Sequence, residues 1–75
     1  MTKQQYEAGN ILRLCFDAVS LLDEECQHAV FGQNDTFVVL DVTYRISSTQ
    51  TKLLSVKTGR VYTTLFTRIF DVIAA

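Results

Sequence analysis

The chain has 75 residues, 48% hydrophobic and 20% charged, with a formal net charge of -1, two cysteines and no proline or tryptophan. This is the composition of one small globular domain, 1–75, which buries roughly 60% of its unfolded surface, and it excludes a disordered tail. No run of about 18 apolar residues is present to cross a bilayer as a helix, and no basic then apolar leader opens the chain, so a cytoplasmic protein with no membrane partner is expected.

The first predicted element is a helix. Ile11, Leu12, Leu14, Cys15, Phe16, Val19 and Leu22 form a broad apolar stripe at 3.6-residue spacing, with Thr2 placed as N-cap. Ser20 followed by Asp23 and Glu24 resembles a capping signal, so a second helix is expected to run from there to about Val30 and stop at Gly32. On a continuous helix Cys15 and Cys26, eleven residues apart, share one apolar face too far apart to bridge, which predicts buried free thiols. His28, the single histidine, is expected on a helix surface, because Cys26 and His28 lack further ligands at zinc spacing. Gln33-Asn34-Asp35 is the clearest loop.

Templates conflict over Thr36 to Ser47. Val38, Leu40, Val42, Tyr44 and Ile46 alternate with Val39, Asp41, Thr43, Arg45 and Ser47, which fits a half-buried strand. A buried helix capped by Asp35 competes with it. At the C-terminal end the pattern is helical again: Val61, Tyr62, Leu65, Phe66, Ile69, Phe70 and Ile73 recur at i, i+4 and i+8 with neighbours, from about Thr58 onwards. No Gly, Asn or Pro follows to end this helix, which suggests a domain cut from a longer chain.

The stretch Ser55-Val56-Lys57-Thr58-Gly59-Arg60 serves a hairpin tip or a helix start equally well on its own residues. A helix running on to Ile73 favours the helix start. A short helix capped by Ser47 or Ser48 would then end at Leu54, Ser55 to Lys57 would turn, and Thr58 would open a recognition helix near 58–74, a helix-turn-helix layout.

At Val56-x-x-Gly59-x-Val61-x-x-Thr64-Leu65-x-x-Arg68-Ile69 the sequence resembles the helix-turn-helix regulators of bacterial plasmids and fimbrial operons, the KorA and PapB kind, over residues 47–70. Gln50 and Thr51 depart from the apolar and small residues usual in the first helix of such motifs. The resemblance implies a sequence-specific DNA-binding transcriptional regulator, a repressor or autoregulator acting as a homodimer or in tandem on double-stranded DNA. Lys57, Thr58, Arg60, Tyr62 and Thr63 then take the outward recognition positions, Ser48, Thr49, Gln50 and Lys52 the phosphates, and Arg68 a further phosphate.

The charge distribution is compatible with that partner. Residues 1–41 carry seven acids against two bases, and residues 42–75 carry five bases against one acid. A basic half suggests a polyanion; the alternative is that the two halves pair with each other. Nothing in the chain suggests an enzyme, a cofactor, a metal or a small-molecule substrate: there is no phosphate-cradling loop and no nucleophile beside a base.

The fold class expected is therefore all-α, a bundle of four to five helices containing a helix-turn-helix. The alternative is an α+β interaction module with N-terminal helices, a β-hairpin over 36–58 and a C-terminal helix, such as a phage- or plasmid-encoded inhibitor or adaptor.

Overall fold

The computed structural model describes residues 6–44, 49–65 and 68–74. Among them there is no helix. Seven strands follow in chain order: β1 Ile11–Leu14, β2 Val19–Asp23, β3 His28–Phe31, β4 Thr36–Tyr44, β5 Thr49–Ser55, β6 Val61–Thr64 and β7 Phe70–Ala74. All pairings are antiparallel, in one sheet of order β3-β2-β6-β5-β4-β1-β7 that curls into a half-barrel. The expected helical bundle and its helix-turn-helix are overturned, and the α+β alternative loses its helices too.

The N-terminal stripe is two short strands that imitate a helix. Leu12 and Leu14 are buried with Arg13 exposed between them, and Leu21 is buried between Ser20 and Leu22, a period of two in each piece. The bend between them, with Ala18 at φ 58°, shifts the second alternation against the first. Read continuously, the two phases merge into a broad stripe that a 3.6-residue period also fits.

The C-terminal half is decided by side-chain shape. Eight of the seventeen residues at 58–74 are β-branched, and these lose rotamer freedom on a helix while packing well on a pleated surface. Strands β6 and β7 divide the stretch, and the Ser55–Arg60 segment between β5 and β6 is a hairpin loop. Ser55 donates its N–H to the Arg60 carbonyl at 2.9 Å, Gly59 donates its N–H to the Ser55 carbonyl at 2.9 Å, and Gly59 has φ 72°. Thr58, expected to cap a helix, accepts the Arg60 N–H on Oγ1 at 3.2 Å. A threonine hydroxyl satisfies a turn amide as readily as a helix N-terminus.

The same ambiguity explains Asp23. Its Oδ1 accepts the N–H groups of Glu25 and Gln27 at 2.8 and 2.9 Å, closing the β2–β3 turn where a second helix was expected. Cys26 occupies the left-handed position of that turn with φ 62° and is exposed, whereas Cys15, just after β1, is half-buried. Both are free, but no common helical face holds them.

Strand β4 occupies the stretch where alternation and helix competed, with a bulge inside it. Val39 pairs with Leu53 and Asp41 with Lys52, leaving Leu40 as the extra residue. Before the bulge the odd positions Phe37 and Val39 point into the core; after it the even position Val42 packs against the core.

The core lies on the concave side and comprises Tyr6, Leu12, Leu14, Leu21, Phe31, Phe37, Val39, Leu53, Tyr62 and Phe70. Phe31 meets Phe37 and Tyr62 edge to face, at centroid distances of 5.0 and 5.1 Å, and Phe37 meets Phe70 at 5.4 Å. Each buried aromatic contributes about 1.5–3 kcal/mol by leaving water. Among the described residues, these rings tie one end of the sheet to the other.

Candidate functional site

The residues expected to contact DNA lie on β5, β6 and the loops beside them. Thr49 and Gln50 open β5 and are half-buried; Lys52 and Thr63 are cross-strand neighbours on the outer face of β5 and β6. Lys57, Thr58 and Arg60 share the β5–β6 loop, and Arg68 is exposed just before β7. Ser48 lies outside the described residues. Tyr62 points the other way: it is buried in the core, and its hydroxyl meets Thr58 Oγ1 at 3.1 Å. No recognition helix presents these groups together.

Three of their charges, those of Lys52, Lys57 and Arg60, have partners within the chain. Arg60 Nη1 lies 3.3 Å from Asp23 Oδ2, Lys57 Nζ 3.9 Å from Asp35 Oδ2 and Lys52 Nζ 4.0 Å from Glu24 Oε2. Each pair joins the basic half to the acidic half, because β5 and β6 sit between β2 and β4 in the sheet. Arg13 and Asp71 make the reverse pairing at 3.5 Å. Three of the five bases of residues 42–75 thus face acids of residues 1–41.

Among these pairs Asp23 is the most constrained, its side chain only 6% exposed. The backbone N–H of Gln27 above all, then that of Glu25 and the Arg60 guanidinium, hold its carboxyl below the usual carboxylate range against the opposing effect of burial. Asp23, Glu24, Glu25, Gly59, Arg60 and Val61 line a shallow cleft of about 230 Å³, in which Asp23 and Arg60 already pair with one another. Among the described residues, no group of three His, Cys, Asp or Glu is placed to hold a metal.

Cys15 is poised against nucleophilic work. A hydrogen bond with the Asp71 carboxylate, then burial, push its thiol up, so the thiolate is disfavoured. Beside it Tyr6 is buried and donates its hydroxyl to the Phe70 carbonyl at 3.4 Å. Burial, with the charges of Cys15 and Asp71 adding to it, pushes the phenol up to about 12. The N-terminal segment is thereby fastened to β7.

The surface that sequence reasoning missed is the sheet edge at β7. The sheet ends in β3 on one side and β7 on the other. On β3 the inward residues are half-buried Ala29 and buried Phe31, while His28 and Val30 are exposed. On β7 every residue from Asp71 to Ala74 is exposed, with Val72 at 41% and Ile73 at 49%. Val72 pairs with Leu12, which is fully buried. Ile73 is the extra residue of a bulge, after which Ala74 pairs with Ile11. From there an aliphatic row crosses the outer face through registered neighbours, Ile11, Val38, Leu54 and Val61, all half-buried.

Comparison with known proteins finds no relative. The chain matches no family model, no curated protein and no solved structure.

Proposed function

We propose that the protein is a polypeptide-binding module that accepts an extended segment of another chain along β7 by strand addition. The observation that carries this is the exposure of β7 on both faces: Val72 and Ile73 stand open on an edge strand that itself carries no lysine or proline, with the bulge at Ile73 limiting regular pairing to a short run. An edge strand offers a row of main-chain donors and acceptors, and natural edges are usually blunted where pairing is unwanted. In strand addition the main-chain hydrogen bonds supply affinity and alternate side chains supply selectivity. Val72 and the aliphatic row beginning at Ala74 and Ile11 supply the apolar contacts here. The β4–β5 hairpin is a poorer candidate, because over Phe37–Val38 and Thr51–Leu54 it is flanked by β1 and β6.

Site-specific photocrosslinking in the cells that make the protein tests this. A photoreactive residue replacing Ile73 should give discrete adducts, and one replacing Val30 on the opposite edge should not. Absence of adducts at Ile73, or equal adducts at both positions, contradicts strand addition at β7.

A further inference from the structure

We propose that Tyr6 guards the β7 edge: its hydroxyl holds the Phe70 carbonyl that an added strand needs, and the strand must compete with it, an inference that rests on strand addition at β7 and names what restrains it. In an antiparallel pair, residues that exchange main-chain hydrogen bonds with the facing strand alternate with residues whose N–H and C=O turn away from it. Cys15 donates its N–H to the Ile69 carbonyl at 2.8 Å, and the register continues through Leu14 with Phe70, Arg13 with Asp71 and Leu12 with Val72. Ile69 and Asp71 therefore aim their main chain at β1, while Phe70 and Val72 aim theirs at the outer edge. The bulge at Ile73 ends this regular run, so Phe70 and Val72 are its two pairing points for a further strand. The Tyr6 hydroxyl, sixty-four residues away in the chain, donates to the first of them, the Phe70 carbonyl, at 3.4 Å.

The geometry makes this contact both present in the resting protein and open to displacement. Tyr6 is 2% exposed. Behind it the Glu7–Asn10 turn is closed by the Asn10 N–H on the Glu7 carbonyl at 3.0 Å and the Glu7 N–H on Asn10 Oδ1 at 2.8 Å, and Gly9 donates its N–H to the Val39 carbonyl at 2.8 Å. These bonds fix the turn from β4 without using β7, so the hydroxyl can leave Phe70 while the segment stays in place. At 3.4 Å the contact is longer than the usual O–H···O bond of about 2.5–3.0 Å, and a strand amide at about 2.9 Å makes the better bond. The phenol is pushed up to about 12 by burial and so remains a donor at neutral pH; what releases it is a competing strand. Covering an edge is a common means of preventing unwanted pairing, and a cover that yields makes the edge selective for strands that pair well.

Photocrosslinking from position 73, in the cells that make the protein, tests the guard in three backgrounds: the parent, Tyr6→Phe and Tyr62→Phe. Tyr62→Phe also removes a buried hydroxyl, one that meets Thr58 Oγ1 on the far side of β5 from β7, and controls for lost stability. In Tyr6→Phe the adducts should keep the parent's masses and rise about two- to tenfold in yield, the equilibrium worth of one neutral hydrogen bond; in Tyr62→Phe the yield should match the parent. Should Tyr6→Phe fail to fold, the parent labelled with carbon-13 in its tyrosine rings provides a second test: in the purified adduct the Tyr6 ring resonance should move from its position in the free chain, and that of Tyr62 should not. Equal yields in the parent and Tyr6→Phe, an equal rise in Tyr62→Phe, or an unmoved Tyr6 resonance in the adduct defeats the guard and leaves strand addition standing. Absence of any adduct from position 73 in all backgrounds defeats strand addition itself.

Discussion

Phe31 on β3 and Phe37 on β4 meet edge to face with centroids 5.0 Å apart, although β2, β6 and β5 lie between their strands in the sheet. Flat sheets cannot bring such residues together; the curl does, and the aromatic contacts hold the curl. Phe37 touches Phe31 on one side and Phe70 on the other. Phe37→Ala should therefore cost about 3–5 kcal/mol, most of the stability of a domain this small. Val30→Ala, on the same strand as Phe31 but 64% exposed, should change it by about 0.5 kcal/mol or less. Urea titrations of the two variants check the contrast.

The loop conformations predict opposite effects of glycine chemistry at two turns. Cys26 holds φ 62° where glycine has no steric penalty, so Cys26→Gly should stabilise by about 1 kcal/mol. Gly59 holds φ 72° with open space around a built Cβ, so Gly59→Ala should cost about 1 kcal/mol through backbone strain alone. Thermal unfolding followed by circular dichroism reads both, and a shift of the same sign in the two variants would contradict the turn assignments.

Thr51 is fully buried opposite Val42 and Thr64, and its Oγ1 has no hydrogen-bond partner. A buried hydroxyl without a partner keeps its desolvation cost uncompensated. Thr51→Val retains the shape and β-branching while removing that group, and should raise stability by about 1 kcal/mol. A loss of stability in urea would show that the hydroxyl is satisfied.

Two groups contribute to the pH dependence of stability. Asp23 has a folded pKa below its ordinary value, so its contribution is present above the ordinary carboxylate range and is lost as pH falls through the lowered folded value. Asp23→Asn should flatten the acid limb of the stability profile. Tyr6 has a folded pKa of about 12 against 10.0 for the free phenol, so its contribution is complete below 10 and disappears as pH rises to 12. Tyr6→Phe should flatten the alkaline limb. Urea midpoints measured across the range, with phenolate absorbance followed at the alkaline end, check both signs.

Part of this architecture is legible in the residues. The alternation through Thr36–Tyr44 lies on β4, and Gln33-Asn34-Asp35 lies in the turn before it. Other signals were present but divided. Thr58 and Asp23 carry side-chain acceptors that suit a helix N-terminus and a tight turn alike, and the bulge at Leu40 reverses which positions of β4 face inward. The Ala18 break joins two strands into one apparent stripe. The β7 edge was not legible, because whether Phe70–Ala74 is central or terminal depends on pairing with β1, and Leu12 and Val72 are sixty residues apart. An edge is a property of the whole topology, which local periodicity does not contain.

The most direct test of the half-barrel is a nuclear Overhauser map of the isotopically labelled chain. The account predicts cross-peaks between the Phe31 and Phe37 rings, together with an α-proton to α-proton or amide contact between Leu12 and Val72 and extended-type chemical shifts over Val61–Thr64 and Phe70–Ala74. Helical shifts continuing through 58–74, with no Phe31 to Phe37 contact, would contradict it.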